Sequence, residues 1–297
     1  MTSTTAPVFD RVAIVGIGLI GSSLARAVRR YGLARTVVCA DRSEAACAKA
    51  MELGIVDEAT TEAAIAAEGA DAVILCTPVG AYAAVAEAIA PHLKPGAVVS
   101  DVGSVKQAVV RDVGPSLPAG VHFVPAHPVA GTEHSGPEAG FAELFQGRWC
   151  IVTPPAGADE EAVRRVAALW SGVGSRVEVM EPARHDRILA ITSHLPHLIA
   201  YTIVGTAADL EEETKSAVIQ FSAGGFRDFT RIAASDPIMW RDIFLNNREA
   251  VLEILQRFSE DLTALQRAIR WGEGDVLEDH FTKTRAIRRG IIDANQA

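Results

Sequence analysis

The segment Gly16-Ile17-Gly18-Leu19-Ile20-Gly21 lies directly between a short apolar run, RVAIVG at 11–16, and a helical pattern at 22–31 that offers Leu24, Ala25, Ala27 and Val28 for packing. Strand, tight turn and helix in that order leave each glycine a physical task. The first makes the turn, the second lets backbone approach a pyrophosphate, and the third allows the helix to pack closely. The N–H groups at the helix start, at Leu19 and Ile20, and the positive end of the helix dipole would then hold phosphate oxygens. The next apolar run, TVVCA at 36–40, ends at Asp41, about 20 residues beyond Gly21, where a carboxylate meets a ribose 2′-hydroxyl. Asp41 favours NAD, because its charge repels a 2′-phosphate, while the neighbouring Arg42 leaves NADP open. The second crossover ends in Cys76-Thr77-Pro78, a strand end where a dinucleotide could meet Thr77 and Pro78, or simply a strand terminator.

Apolar runs at 71–77, 97–102, 121–126, 149–153 and 176–180 alternate with helical patterns at about 80–93 and 159–173. Continuous apolar strands between helices indicate a parallel sheet covered on both faces. After Pro182 the strand signals stop and helical periodicity takes over, with Ile243, Leu252, Leu255, Leu262 and Leu265 near helical spacing. The fold class is therefore α/β, a Rossmann domain over 1–181 followed by an all-helical domain over 182–297. A net charge of −9 disfavours nucleic-acid and anionic-membrane partners. No apolar run approaches the about 20 residues of a membrane span, and the N-terminus carries no secretory pattern. Cys39, Cys47, Cys76 and Cys150 are not spaced as a zinc site or redox dithiol, so no metal is expected and the location reads as cytoplasmic.

Four further segments concentrate polar residues: DVGSVK at 101–106, AHPVAGTE at 126–133, SHLPH at 193–197, and GGFRDFTRIAASDPIMW at 224–240. With GIGLIG they resemble the signature set of the prephenate/arogenate (cyclohexadienyl) dehydrogenases, in matching order over nearly the whole chain. The resemblance implies oxidation of prephenate or arogenate at the hydroxyl-bearing ring carbon, with loss of the ring carboxylate as carbon dioxide and hydride transfer to the nicotinamide. His127, after the strand HFVPA, would be the general base, since a neutral imidazole can accept a hydroxyl proton near neutral pH. The resemblance assigns Ser104 to orienting the hydroxyl and the histidine, although a serine after a strand also reads as a helix N-cap. Lys106 reads as a surface or first-turn lysine and receives no role.

His194 and His197 lie three apart on a helix that Pro196 should kink. The resemblance gives His197 to substrate binding, and His194 divides between substrate binding and helix packing. Arg231 offers a planar fork for a substrate carboxylate. Asp228 would support it and Trp240 would wall the pocket, with ordinary core as the other reading of the tryptophan. Gly224 opens the same segment. A homodimer built through the helical domain is also implied. A different two-domain dehydrogenase, of β-hydroxyacid or imine reductase type, is the nearest alternative. The chain reads as the stand-alone form of the family, without a regulatory or mutase segment.

Overall fold

A computed structural model describes residues 6–132, 134–209 and 224–293, the side chains of 291–293 excepted. Glu133 and the stretch 210–223 of the expected helical half thus lie outside the described residues. Six strands, β1 (Phe9–Val15), β2 (Ala34–Ala40), β3 (Glu58–Thr60), β4 (Ala72–Leu75), β5 (Val98–Asp101) and β6 (His122–Phe123), form a sheet in the order β3-β2-β1-β4-β5-β6. All its pairings are parallel. Strand order reverses between β1 and β4, and the crevice at that switch, beyond the carboxyl ends of the strands, is where ligands bind in open α/β sheets.

Both sheet faces are dry. Val12, Ile14, Val37, Cys39, Ala72 and Ile74 pack on one side with Leu24, Ala25 and Val28 of α1 (Leu19–Arg30) and Val166, Leu169 and Trp170 of α6 (Glu160–Gly172). Ala13, Val15, Val38, Val73, Leu75 and Val99 face the other side, against Tyr82, Ala86 and Ile89 of α4 (Tyr82–Ile89) and Ala108, Val109 and Val113 of α5 (Gln107–Val113). The helices α2 (Glu44–Glu52), N-capped by Ser43 through Ala46 N, and α3 (Ala63–Ala67) complete this part.

The expected run of parallel strands ends earlier than the sequence suggested. The apolar stretch 121–126 divides into β6 and β7 (Ala126–Pro128), and β7 pairs antiparallel with β8 (Trp149–Val152), which pairs parallel with β9 (Arg176–Val179) in a separate three-stranded sheet. Pro125, which has no N–H for a ladder, lies at the crossing and accepts from Thr153 N through its carbonyl. His127 therefore occupies the middle of a strand rather than the loop after one.

From Pro182 to Ala208 the chain is one continuous helical run: α7 (Pro182–Leu189), a π-helical turn at Ala190–His194, and α8 (Leu195–Ala208). Pro196 removes the N–H that would reach back to residue 192, and the distortion appears as a widened turn just before it. This run is 27 residues long, with a mean hydropathy of 1.4 over its most apolar stretch. By length and composition it meets the criterion for a span, contrary to expectation, because its apolar residues are interspersed with Thr192, Ser193, His194 and His197 rather than continuous. Helices α9 (Gly224–Thr230) and α10 (Pro237–Asn246) follow, and Trp240 and Ile243 of α10 join the same apolar cluster as Leu75 and Tyr82.

The chain forms two compact units, Met1–Arg248 and Glu249–Ala297. The second consists of the helix α11 (Arg248–Trp271), less its first residue, and α12 (Gly274–Asp293). Its own apolar residues are largely uncovered: Leu252, Leu262, Ile269, Trp271, Val276, Phe281 and Ile287 are all more than half exposed.

Candidate active site

The glycine turn leaves no room for a side chain at two of its three glycines. Gly16 has a φ of +98°, and a Cβ there would sit 2.7 Å from the Cys76 carbonyl; one at Gly21 would meet Gly16 O at 2.0 Å. Gly18, by contrast, has open space where a side chain would project. Leu19 and Ile20 form the first turn of α1, whose leading N–H groups have no intrahelical partner. Asp41 accepts from Ile17 N and Ser43 N, each at 3.0 Å, so one carboxylate ties the glycine turn to the second crossover. Arg42 is exposed beside it. At the end of β4, the Thr77 hydroxyl is buried without a hydrogen-bond partner, which is what a site awaiting a polar ligand atom presents, and Pro78 follows it on the exposed rim.

At the end of β5 lies a buried ion pair. Lys106 and Asp101 are both wholly excluded from solvent, 2.5 Å apart. Lys106 is thus neither a surface nor a first-turn lysine, a correction whose cause is that its position falls in phase with the buried Val109 and Val113 of α5. Burial pushes its ammonium toward neutrality and Asp101 opposes that. The pair grips the peptide groups of the residue before His127: Lys106 Nζ donates to Ala126 O at 2.7 Å, and Ala126 N donates to Asp101 Oδ1 at 3.2 Å. Gly103 N adds a further donor to Asp101 at 2.7 Å.

The His127 ring is held separately. Its Nδ1 lies 2.8 Å from Nε2 of His185, whose Nδ1 lies 2.8 Å from Asp186 Oδ1. Asp186 also accepts from Lys106 N and Gln107 N, at 2.8 and 2.9 Å, capping α5 from another helix. Burial would raise the Asp186 carboxyl, but His185 and these N–H groups outweigh it and hold it below its ordinary value. Burial, with the His185 and Lys106 charges adding, holds His127 well below the usual histidine value, so its imidazole is neutral at neutral pH. His127 is 7% exposed, and its Nε2 has no hydrogen bond among the described residues.

Ser104, between Asp101 and Lys106 in the chain, is half-buried and makes no capping bond to α5. The capping reading of this serine therefore gives way, because Asp186 already occupies that end of the helix. His194 is wholly buried, packs edge-on against Trp240, and accepts from Asn247 Nδ2 at its Nδ1, 3.1 Å away. Burial pushes it down to about 4, with His185 adding, Asp186 opposing, and the Ser104 carbonyl also opposing. His197 is stacked on Trp240, ring centroids 3.6 Å apart, and donates from Nδ1 to Ser193 O at 2.9 Å, which leaves its Nε2 as an acceptor. Burial lowers its basicity, and the Arg231 charge is close enough to lower it further.

Arg231 is exposed and lines a cavity of about 410 Å³ with Val129, Ala130, Gly131 and Thr132, the residues that follow β7, and with Arg148. Asp228 is exposed on α9, and Gly224 opens that helix with Asp228 Oδ2 4.0 Å from where its Cβ would stand. No ion pair joins Arg231 to Asp228 or Asp236 among the described residues. Trp240 is 5% exposed, in the apolar core, and its stacking on His197 is the contact that bears on the other reading.

Two family models match successive parts of the chain: "Prephenate dehydrogenase, nucleotide-binding domain" over 24–179 and "Prephenate dehydrogenase, dimerization domain" over 181–283. The cyclohexadienyl dehydrogenase of Zymomonas mobilis is 44% identical over 284 residues, spanning 96% of this chain and 97% of that protein. The chain belongs to the prephenate dehydrogenase family. Among solved structures, the prephenate dehydrogenase of Aquifex aeolicus in complex with hydroxyphenyl propionate and NAD+ is similar at a TM-score of 0.89 and 36% identity, covering 98% of this chain and 100% of that one. The arogenate dehydrogenase of Synechocystis follows at a TM-score of 0.80 and 28% identity, covering 94% and 99%.

The sequence alone did not single out Asp101, Lys106, His185, Asp186 and Asn247 for the site. A signal for the middle pair was present: His185 and Asp186 sit in the helical phase of the buried Leu189 and Ala190, where apolar residues belong. A polar pair in that phase needs partners. Nothing in the one-dimensional pattern said that the partner of His185 would be His127, 58 residues away.

Proposed function

We propose that the chain oxidises and decarboxylates prephenate, arogenate or both, using NAD in preference to NADP, with His127 as the general base. The neutral His127 ring, with Nε2 unpartnered and the residues after it lining the same cavity as Arg231, is the observation that carries this reading. Nε2 takes the proton of the ring hydroxyl as a carbonyl forms. Gly16, Gly18, Leu19, Ile20, Gly21, Asp41, Thr77 and Pro78 would hold the dinucleotide, which when bound accepts the hydride from the same carbon. Loss of the ring carboxylate as carbon dioxide leaves its electron pair in the ring, which becomes an aromatic phenolate. The proton on His127 returns to that oxygen, so the histidine ends as it began. Aromatisation drives the second half, and the protein need only orient and hold charge.

Ser104 orients the reacting hydroxyl, Arg231 clamps a carboxylate with Asp228 and Gly224 shaping its segment, and His197 on Trp240 reads the substrate side chain. His194 acts through Ser104 and Trp240 rather than by touching substrate. The work divides near 181/182, and two copies associate through the helical part, whose uncovered Leu262, Ile269, Phe281 and Ile287 need a partner surface. We place the enzyme in the cytoplasm. Steady-state assays of prephenate and arogenate, each with NAD and NADP, test the reading. Turnover of simple 3-hydroxy acids in place of both would overturn it.

A further inference from the structure

The relay from Asp186 through His185 to His127 has a direction that its geometry fixes. Two backbone N–H groups, of Lys106 and Gln107, point at the Asp186 carboxylate, and an N–H can only donate. Asp186 Oδ1, which already accepts from Lys106 N, faces His185 Nδ1 at 2.8 Å, so that nitrogen carries the hydrogen. A neutral imidazole has one N–H, and Nε2 of His185 is left with a lone pair. His127 Nδ1, 2.8 Å away, must then be the donor, and its second nitrogen is left bare.

We propose that His185 and Asp186 are positioning residues that select the tautomer of His127, keeping Nδ1 protonated and Nε2 free to take the substrate proton. This rests on His127 being the base. The opposite tautomer would place an N–H where the lone pair is needed, and the ring would be poorly suited to deprotonation whatever its orientation. The groups that face the relay are Asp101 at the end of β5, Lys106 at the start of α5, His194 from the π-helical turn and Asn247, which donates to the Asp186 carbonyl at 2.9 Å. The relay is sealed: His185 and Asp186 are wholly buried, and His127 nearly so. It orients and does not lead a proton out to solvent.

Nitrogen-15 NMR of ring-labelled protein reads the tautomer directly, in the resting enzyme and without any assay, the His127 signals being assigned by their loss in His127→Asn. A protonated Nδ1 and an unprotonated Nε2 on His127 are expected near neutral pH. A protonated Nε2 overturns the proposal while leaving the family's chemistry untouched. Kinetics supply the second arm. His185→Leu removes the acceptor and should lower kcat about 100-fold, the lower range for general-base catalysis, with NAD affinity and KM little changed. His185→Gln restores an oxygen acceptor near the Nε2 position and should recover most of kcat. Equal activity in wild type, Leu and Gln variants, with all three binding NAD, would show that His185 is merely packed there.

Discussion

On one side of the site, His127, His185, Asp186, Lys106 and Asp101 are withdrawn from water, and the polar atoms that bind them together lie within 2.5–3.2 Å of a partner. On the other, Arg231 stands exposed where it lines a cavity, and Asp228 is exposed on α9 with no ion pair between the two. In the proposed reaction the difference separates two tasks. The reacting proton needs a lone pair held in one place, which rigid buried polar groups provide before substrate arrives. A carboxylate only needs to be captured, and a free guanidinium can wait in solvent to do so. The global charge of −9 makes such a local cation necessary for an anionic substrate.

The largest expected effect tests the buried side. His127→Asn should lower kcat by about two to four orders of magnitude, the usual weight of a general base, with NAD affinity nearly intact. Unchanged turnover would remove His127 from the chemistry. The acid limb of the wild-type rate profile should also lie below pH 6.5, because the base works unprotonated and burial lowers its pKa. An acid limb at or above the ordinary histidine value would contradict the dry environment.

The supports of that side are expected to show in stability. Lys106→Met leaves Asp101 buried without its cation and should cost about 3–5 kcal/mol, read from urea denaturation. Adding Asp101→Asn should return much of it, since the stranded charge is then gone. A loss of under about 1 kcal/mol in the single variant would mean that the pair is not sealed as described.

His194 gives a pH-dependent version of the same test. In the unfolded chain a histidine takes up its proton near pH 6.5, but folded His194 does so only at about 4. Between those values the unfolded state binds more protons, so acid favours unfolding. The contribution, about 3 kcal/mol, is fully present above pH 6.5 and is lost as the pH falls toward 4. His194→Gln, neutral throughout, should therefore lose less stability than wild type between pH 7.5 and 4.5. Parallel losses would acquit this histidine.

The two sides also differ in how far the sequence disclosed them. The glycine turn, Asp41, and the segments bearing His127, His197 and Arg231 are local patterns, and local patterns survive in one dimension. The β-α order of the nucleotide-binding part was legible for the same reason. The crossing at Pro125 was not, because an apolar run does not say which sheet it joins. Nor was Lys106, whose burial depends on Asp101 and the Ala126 carbonyl being brought to it by the fold. His185 and Asp186 are ordinary helix residues until β7 sets His127 against them.

Arg231→Ala tests the exposed side and should have the smallest effect on the protein itself. Its guanidinium makes no described ion pair, so folding loses little when it goes, and surface substitutions of this kind usually lie within about 0.5 kcal/mol. The substrate loses a charge-assisted, two-pronged contact made in both ground and transition states, which should raise KM about ten- to a hundredfold with kcat much less affected. Arg231→Lys keeps the charge but not the planar fork, and an intermediate KM is expected. The pattern separates capture from chemistry: if Arg231→Ala lowered kcat as steeply as His127→Asn at an unchanged KM, the guanidinium would be stabilising charge that develops during reaction. The exposed side of the site would then have to close around the substrate before turnover, and its openness in the free enzyme would describe only the state that awaits it.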